Sequence, residues 1–193
     1  MKRRNSFLWA VVIMVALGIS SWAFAAMSDK EKKAAREEVQ KMARETLERL
    51  YKAQPSAKQA VEKAAGYAVF SNFGLKILVA GSGKGDGLAF NSSTKAVTYM
   101  KMLEVQAGLG IGVKKFRLVW IFEKQQDLDN FIKSGWELGG QASAAAQTGD
   151  KGASFAGAMS VSPGVWLYQL TDDGLAVELT AKGTKYYKDG DLN

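Results

Sequence analysis

The sequence predicts an α+β fold: an antiparallel glycine-rich β-sheet or small barrel with an N-terminal amphipathic helix pair and one further helix. Three observations predict it. Residues 28–65 hold no Gly and one Pro, whereas 19 of the 20 Gly lie from Gly66 onward. The earlier part carries helical periodicity, and the later part carries short apolar and aromatic runs broken by glycines. Those runs do not alternate regularly with helices, so the strands are expected to pair antiparallel.

Helix one is predicted to start at Ser28, because Ser28-Asp29-Lys30-Glu31 is a capping box. Val39, Met42, Ala43, Leu47, Leu50 and Tyr51 then draw one helical face, with Thr46 on the same stripe. Glu37–Lys41, Glu45–Arg49 and Glu48–Lys52 are favourable i,i+4 pairs. Gln54-Pro55 stops this helix. Residues 56–65 read as a second helix with Gly66 at its C-cap.

Strands are predicted at residues 67–70, 75–80, 88–90 and 95–103, with Asn91-Ser92-Ser93-Thr94 as a hairpin turn. Residues 116–122 fit a buried strand. Residues 123–134 read as an amphipathic helix stopped at Gly135. Residues 164–170 and 175–180 form a C-terminal hairpin around Thr171-Asp172-Asp173-Gly174. Residues 142–157 are rich in Ala, Ser and Gly, and read as either a small-residue strand or a mobile loop.

The N-terminus has the three parts of an export signal. Lys2, Arg3 and Arg4 precede an apolar run over residues 7–18, and Ala23-Phe24-Ala25 is a small-x-small site. Cleavage is expected after Ala25, with the periplasm as destination. The alternative is an uncleaved inner-membrane anchor, because residues 7–26 are 20 uncharged residues. The expected organisation is a signal over 1–25, a helical segment over 26–65 and a β-rich part over 66–193 of the same domain. The signal holds three basic and no acidic residues. Its removal leaves 168 residues, with 23 basic against 19 acidic side chains. That modest excess suits an anionic surface, and nucleic acid is not an expected partner for an exported chain.

The 193 residues include no His and no Cys. Imidazole relays, thiol nucleophiles and His or Cys metal sites are therefore excluded. The run Gly81-Ser82-Gly83-Lys84-Gly85-Asp86-Gly87 fails as a phosphate loop, since Gly85 follows the lysine and residue 78 is Leu. Glycines at alternate positions suit a flexible turn or a strand with one bare face. Gly108, Gly110 and Gly112 repeat that period, and tight packing is the favoured reading over approach by a lipid chain. Asp172-Asp173 and Asp189-Gly190-Asp191 lack the oxygen set of a calcium loop. No cofactor or metal is expected. Three basic clusters stand out: Lys30, Lys32, Lys33 and Arg36; Lys114, Lys115 and Arg117; and Lys182, Lys185 and Lys188 beside Tyr186 and Tyr187.

Ala65-Gly66-Tyr67-Ala68-Val69-Phe70, followed by Gly83-Lys84-Gly85, resembles the opening of the SYLF domain family. Gln106-Ala107-Gly108-Leu109-Gly110 resembles its glycine-rich stretch, and Trp136-Glu137-Leu138-Gly139 its following tryptophan motif. Gly174-Leu175 and Lys182-Gly183-Thr184-Lys185-Tyr186-Tyr187 resemble its closing segment, so the likeness runs from about Lys58 to Lys188 in order. Ser71 stands where many members have Pro. The resemblance implies membrane-lipid binding without catalysis, with anionic phospholipids as partners for an exported bacterial member. Lys114, Lys115, Arg117, Lys182 and Lys185 are the expected headgroup contacts, through electrostatic attraction followed by apolar insertion near the glycine-rich strands. The alternative function is an envelope protein-interaction or scaffold module, with a protein partner on the helix-one stripe.

Overall fold

A computed structural model describes residues 27–77, 80–107, 112–138, 155–172, 174–175 and 184–193. The expected signal segment, the lipid-contact candidate Lys182 and most of residues 142–157 lie outside the described residues. The chain forms α1 (Asp29–Ala53), α2 (Ser56–Lys63), β1 (Gly66–Ile77), β2 (Ala80–Asn91), β3 (Val97–Ala107) and β4 (Gly112–Phe122). Then come α3 (Gln125–Ser134), β5 (Trp136–Leu138), β6 (Met159–Ser162), β7 (Val165–Thr171), β8 (Gly174–Leu175) and β9 (Thr184–Lys188). All strand pairs are antiparallel, in the order β5-β9-β3-β2-β1-β4-β7-β6, with β8 beside β7. The sheet curls into a half-barrel. The α+β reading holds, and of its two forms the open, curled sheet is the one adopted.

The capping box forms as the sequence indicates. The Ser28 amide donates to Glu31 Oε2 at 2.8 Å, and the Glu31 amide donates to Ser28 Oγ at 3.3 Å. The Ser28 hydroxyl and amide hold the Glu31 carboxyl below the usual carboxylate range. Gln54 caps the far end of α1. Val39, Ala43, Thr46 and Leu50 are buried, so the predicted stripe packs on the sheet. Gly66 opens β1 rather than capping α2, which ends at Lys63 with Ala64 as its cap. A side chain on Gly66 would collide with the Phe90 carbonyl and Leu128.

The first two predicted strands are one strand. β1 runs unbroken to Ile77, which pairs with Ala80 of β2, so the chain reverses inside the apolar run over residues 75–80. Apolar periodicity alone does not mark a reversal that lacks Pro or Asn. The Asn91 turn forms, with Asn91 Oδ1 accepting from the amides of Ser93 at 2.9 Å and Thr94 at 3.0 Å. Gly135 ends α3 at a φ of 70°, where a side chain is disfavoured.

The sheet has two buried faces. On one, α1 and α2 cover Val69, Leu88, Val119, Ile121, Trp166 and Tyr168. On the other, the curl closes around Phe70, Met100, Met102, Leu118, Trp120 and Tyr186, capped by Phe131 of α3. Phe131 lies between Trp120, Phe122 and Tyr186, at ring distances of 5.5, 5.0 and 5.5 Å. The glycines of β2 make the curl possible. Gly87 lies beneath the Phe70 ring and Gly85 beneath Met102, and added Cβ atoms would overlap both. Asn72 and Glu104 fill the space over Gly83, and the Asn72 amide donates to the Glu104 carboxylate. The alternating glycines are thus a strand with one bare face.

Gly87→Ala is expected to cost about 1–3 kcal/mol through overpacking, read from urea unfolding midpoints. Gly190→Ala meets nothing within 4 Å, and its midpoint should not move. Alkaline pH supplies a second check. Burial raises Tyr51 and Tyr168 to about 12, and it also raises Tyr67 and Tyr186. A phenol kept protonated by the fold stabilises it below the ordinary value of about 10, and that stability is lost as pH rises toward the folded value. Tyrosinate absorbance should therefore rise together with unfolding above about pH 10. Free titration of these four tyrosines in a folded chain would contradict their burial.

Candidate functional site

Register brings distant lysines together. Lys185 of β9 pairs with Leu103, Leu103 with Lys84, Lys84 with Phe73, and Phe73 with Lys115. One cross-strand row therefore holds Lys185, Lys84 and Lys115 on alternate strands, about 10 Å apart at ordinary strand spacing. All three side chains are exposed. Two residues further toward the hairpin ends, the row reads Val105–Ser82–Leu75–Val113, and the next reads Ala107–Ala80–Ile77. The β1–β2 hairpin turns at this end, where β3 also ends and β4 begins. The described residues 74–77, 80–83, 105–107 and 112–113 hold one charge, Lys76. A lysine row thus borders an apolar, nearly uncharged end of the sheet.

The row behind it, toward the helices, reads Leu170–Arg117–Ser71–Asp86–Lys101–Tyr187. Arg117 fastens α1 to β4: its Nη1 donates to Thr46 Oγ1 at 3.0 Å and lies 3.9 Å from Glu45. Thr46, fully buried, donates in turn to the Met42 carbonyl at 2.7 Å. Lys101 pairs with Asp189 at 3.2 Å and Asp191 at 3.7 Å. Burial alone would lower Lys101, but the Asp189 hydrogen bond and the surrounding carboxylates raise it above the usual lysine value. Burial raises the Asp86 carboxyl against the pull of Lys101. Lys84, Asp86 and Lys101 line a cavity of about 420 Å³ beneath Val39 and Met42 of α1.

Of the five expected contacts, the fold brings Lys115 and Lys185 into one row, with Arg117 one row behind. Lys114 has the opposite strand parity from Lys115, in the row of Gly74, Gly83 and Glu104, and so does not join them. Sequence reasoning missed Lys84, which it met only as part of a failed phosphate loop. The alternation of Lys84 and Asp86 with glycines was the available signal, since it puts the charged residues on one face. Arg49 was also missed. Its Nη2 donates to the Thr171 carbonyl at 3.0 Å, joining α1 to the end of β7. Among the described residues, no group of three His, Cys, Asp or Glu could hold a metal ion, and no helix is long and apolar enough to cross a membrane.

Residues 103–193 match the Ysc84 family, described as "Las17-binding protein actin regulator". That family model is the SYLF one, and it covers 91 of the 193 residues. They take in β4 and β9, which carries Lys185. The chain is also similar to Beta cell expansion factor A of Aeromonas veronii, at 34% identity over 168 residues. The match covers 86% of this chain and 62% of that relative, so the chain spans under two thirds of its length. The N-terminal helices precede the matched residues, and α1 is tied to them through Arg36, Arg49 and Arg117.

Thr46→Val is expected to cost about 1–3 kcal/mol, because it leaves the Arg117 guanidinium without its buried acceptor. Thermal unfolding of the two chains measures the loss. An unchanged midpoint would mean that Arg117 does not hold α1 in place.

Proposed function

We propose that the chain is a non-enzymatic lipid-binding protein that associates with anionic membrane lipids. One observation carries the reading: the row of Lys185, Lys84 and Lys115 stands directly behind a nearly uncharged apolar end of the sheet. Cations at such a boundary contribute about 1 kcal/mol each beside an anionic leaflet. The apolar end of the sheet would then enter the acyl boundary, a strand-borne counterpart of interfacial insertion. The SYLF match supports lipid contact, as does the likeness implied by the glycine-rich motifs. The proposed location is outside the cytoplasm, most simply the periplasm after cleavage behind Ala25, on the strength of the basic, apolar and small-x-small order of the first 25 residues.

A scaffold role through the helix-one stripe has less support. That stripe is covered by the chain's own sheet at Val39, Ala43 and Leu50. The same burial argues against α1 lying on a membrane by its apolar face.

Vesicle co-sedimentation tests the reading. Binding to phosphatidylglycerol-containing vesicles should be strong at low salt and weaken at high salt, with little binding to phosphatidylcholine alone. Combined reversal at Lys84→Glu, Lys115→Glu and Lys185→Glu should reduce binding about 100-fold or more. Equal binding to neutral vesicles, or binding unaffected by the triple reversal, would refute the electrostatic mechanism.

A further inference from the structure

We propose that a cleft bounded by α1, β1, β4 and the end of β7 is a phosphate-anion site, gripped by Arg49 and Arg117. It deepens the lipid reading above and relies on it only for one of two sources of the phosphate, a lipid headgroup as against a free phosphate.

The cleft holds about 230 Å³ and is lined by Arg49, Ser71, Lys115, Arg117 and Asp172, among others. At about 30 Å³ per water, that is room for roughly seven waters, or for one phosphate and a short ester stub. The two guanidiniums approach from different elements, Arg49 from α1 and Arg117 from β4. Each is positioned by a neutral oxygen: the Thr171 carbonyl at 3.0 Å for Arg49 and the Thr46 hydroxyl at 3.0 Å for Arg117. Neutral anchors fix the side chains without cancelling their charge. Among the described residues Arg49 makes no ion pair. Among the described residues, Arg117 makes its ion pair with Glu45, at 3.9 Å, which is shared with Lys41 at 4.0 Å. A guanidinium has five N–H donors in a planar fork, so both arginines keep donors for a tetrahedral oxyanion. Among the described residues, Asp172, exposed, is the one carboxylate in the lining.

The location adds a second argument. Arg117 stands two residues behind Lys115 along β4, about 7 Å from the lysine row. A phosphate in the cleft would therefore sit behind the lysines, with its ester carbon free to lead toward the apolar hairpin end. Arg49 is the discriminating residue, because Arg117 also holds α1 to the sheet. Arg49→Lys keeps the charge but loses the fork.

Thermal unfolding of the full chain in sodium phosphate against sodium chloride of equal ionic strength reads the free anion. Vesicles containing phosphatidic acid, against phosphatidylcholine alone, read the headgroup. Phosphate should raise the midpoint of the wild-type chain. Arg49→Gln and Arg49→Lys should weaken phosphate or phosphatidic acid binding about 10-fold or more, while Arg44→Gln on the exposed side of α1 leaves both unchanged. An effect confined to vesicles identifies a lipid headgroup, and one confined to the soluble anion identifies free phosphate. If folded Arg49→Gln keeps wild-type response to both, the site is refuted while the lipid reading stands. If no vesicle binds the wild-type chain but phosphate still acts through Arg49, the lipid reading fails and the site stands.

Discussion

The structure depends on the absence of side chains on one face of β2. Gly83, Gly85 and Gly87 stand where Asn72, Glu104, Met102 and Phe70 must pass if the sheet is to curl over its own aromatic core. A β-carbon at any of these positions would force neighbours apart in a region already packed by Trp120, Phe131 and Tyr186. Glycine in a strand weakens it by entropy and by the loss of a packing side chain. Here the lost packing is returned by the neighbouring strands, whose large side chains occupy the vacated volume.

The curl in turn makes the sheet two-faced. Its concave side is filled by aromatic groups and α3, and its convex side is covered by α1 and α2. Residues of both parities on β4 are consequently buried, and Leu118 through Phe122 show no exposure. A strand buried on both faces reads as a continuous apolar run, which is why residues 116–122 were recognisable without alternation. Arg117 closes the arrangement from the convex side. Its bond to Thr46 ties α1 to β4.

The candidate site shows where sequence reasoning reaches its limit. The basic clusters were visible as clusters, yet neighbours in sequence proved to be separated in space: Lys114 and Lys115 have opposite parity because successive strand residues face opposite ways. Lys84, Lys115 and Lys185 come from β2, β4 and β9, and no local pattern links them. Arg49 looked like the partner of Glu45 along the helix. In the fold, Glu45 contacts Arg117 and Lys41, and Arg49 bonds to Thr171. A helix pair separated by four residues competes with tertiary partners of similar strength, so spacing alone does not choose between them.

The amino-acid sequence by itself determined the helices, their capping at Ser28 and their stop at Gln54, the Asn91 turn, the buried strand over 116–122, the end of α3 at Gly135 and the antiparallel class. These are local matters of capping chemistry, backbone freedom and periodicity, each written within a few residues. Tertiary structure decided the reversal between Ile77 and Ala80, the role of Gly66 as a point of close approach, and the register that aligns three lysines ahead of two arginines. Register couples residues as far apart as 84 and 185. It is set by how large side chains fill the bare face of β2, and that packing exists only once the strands are side by side.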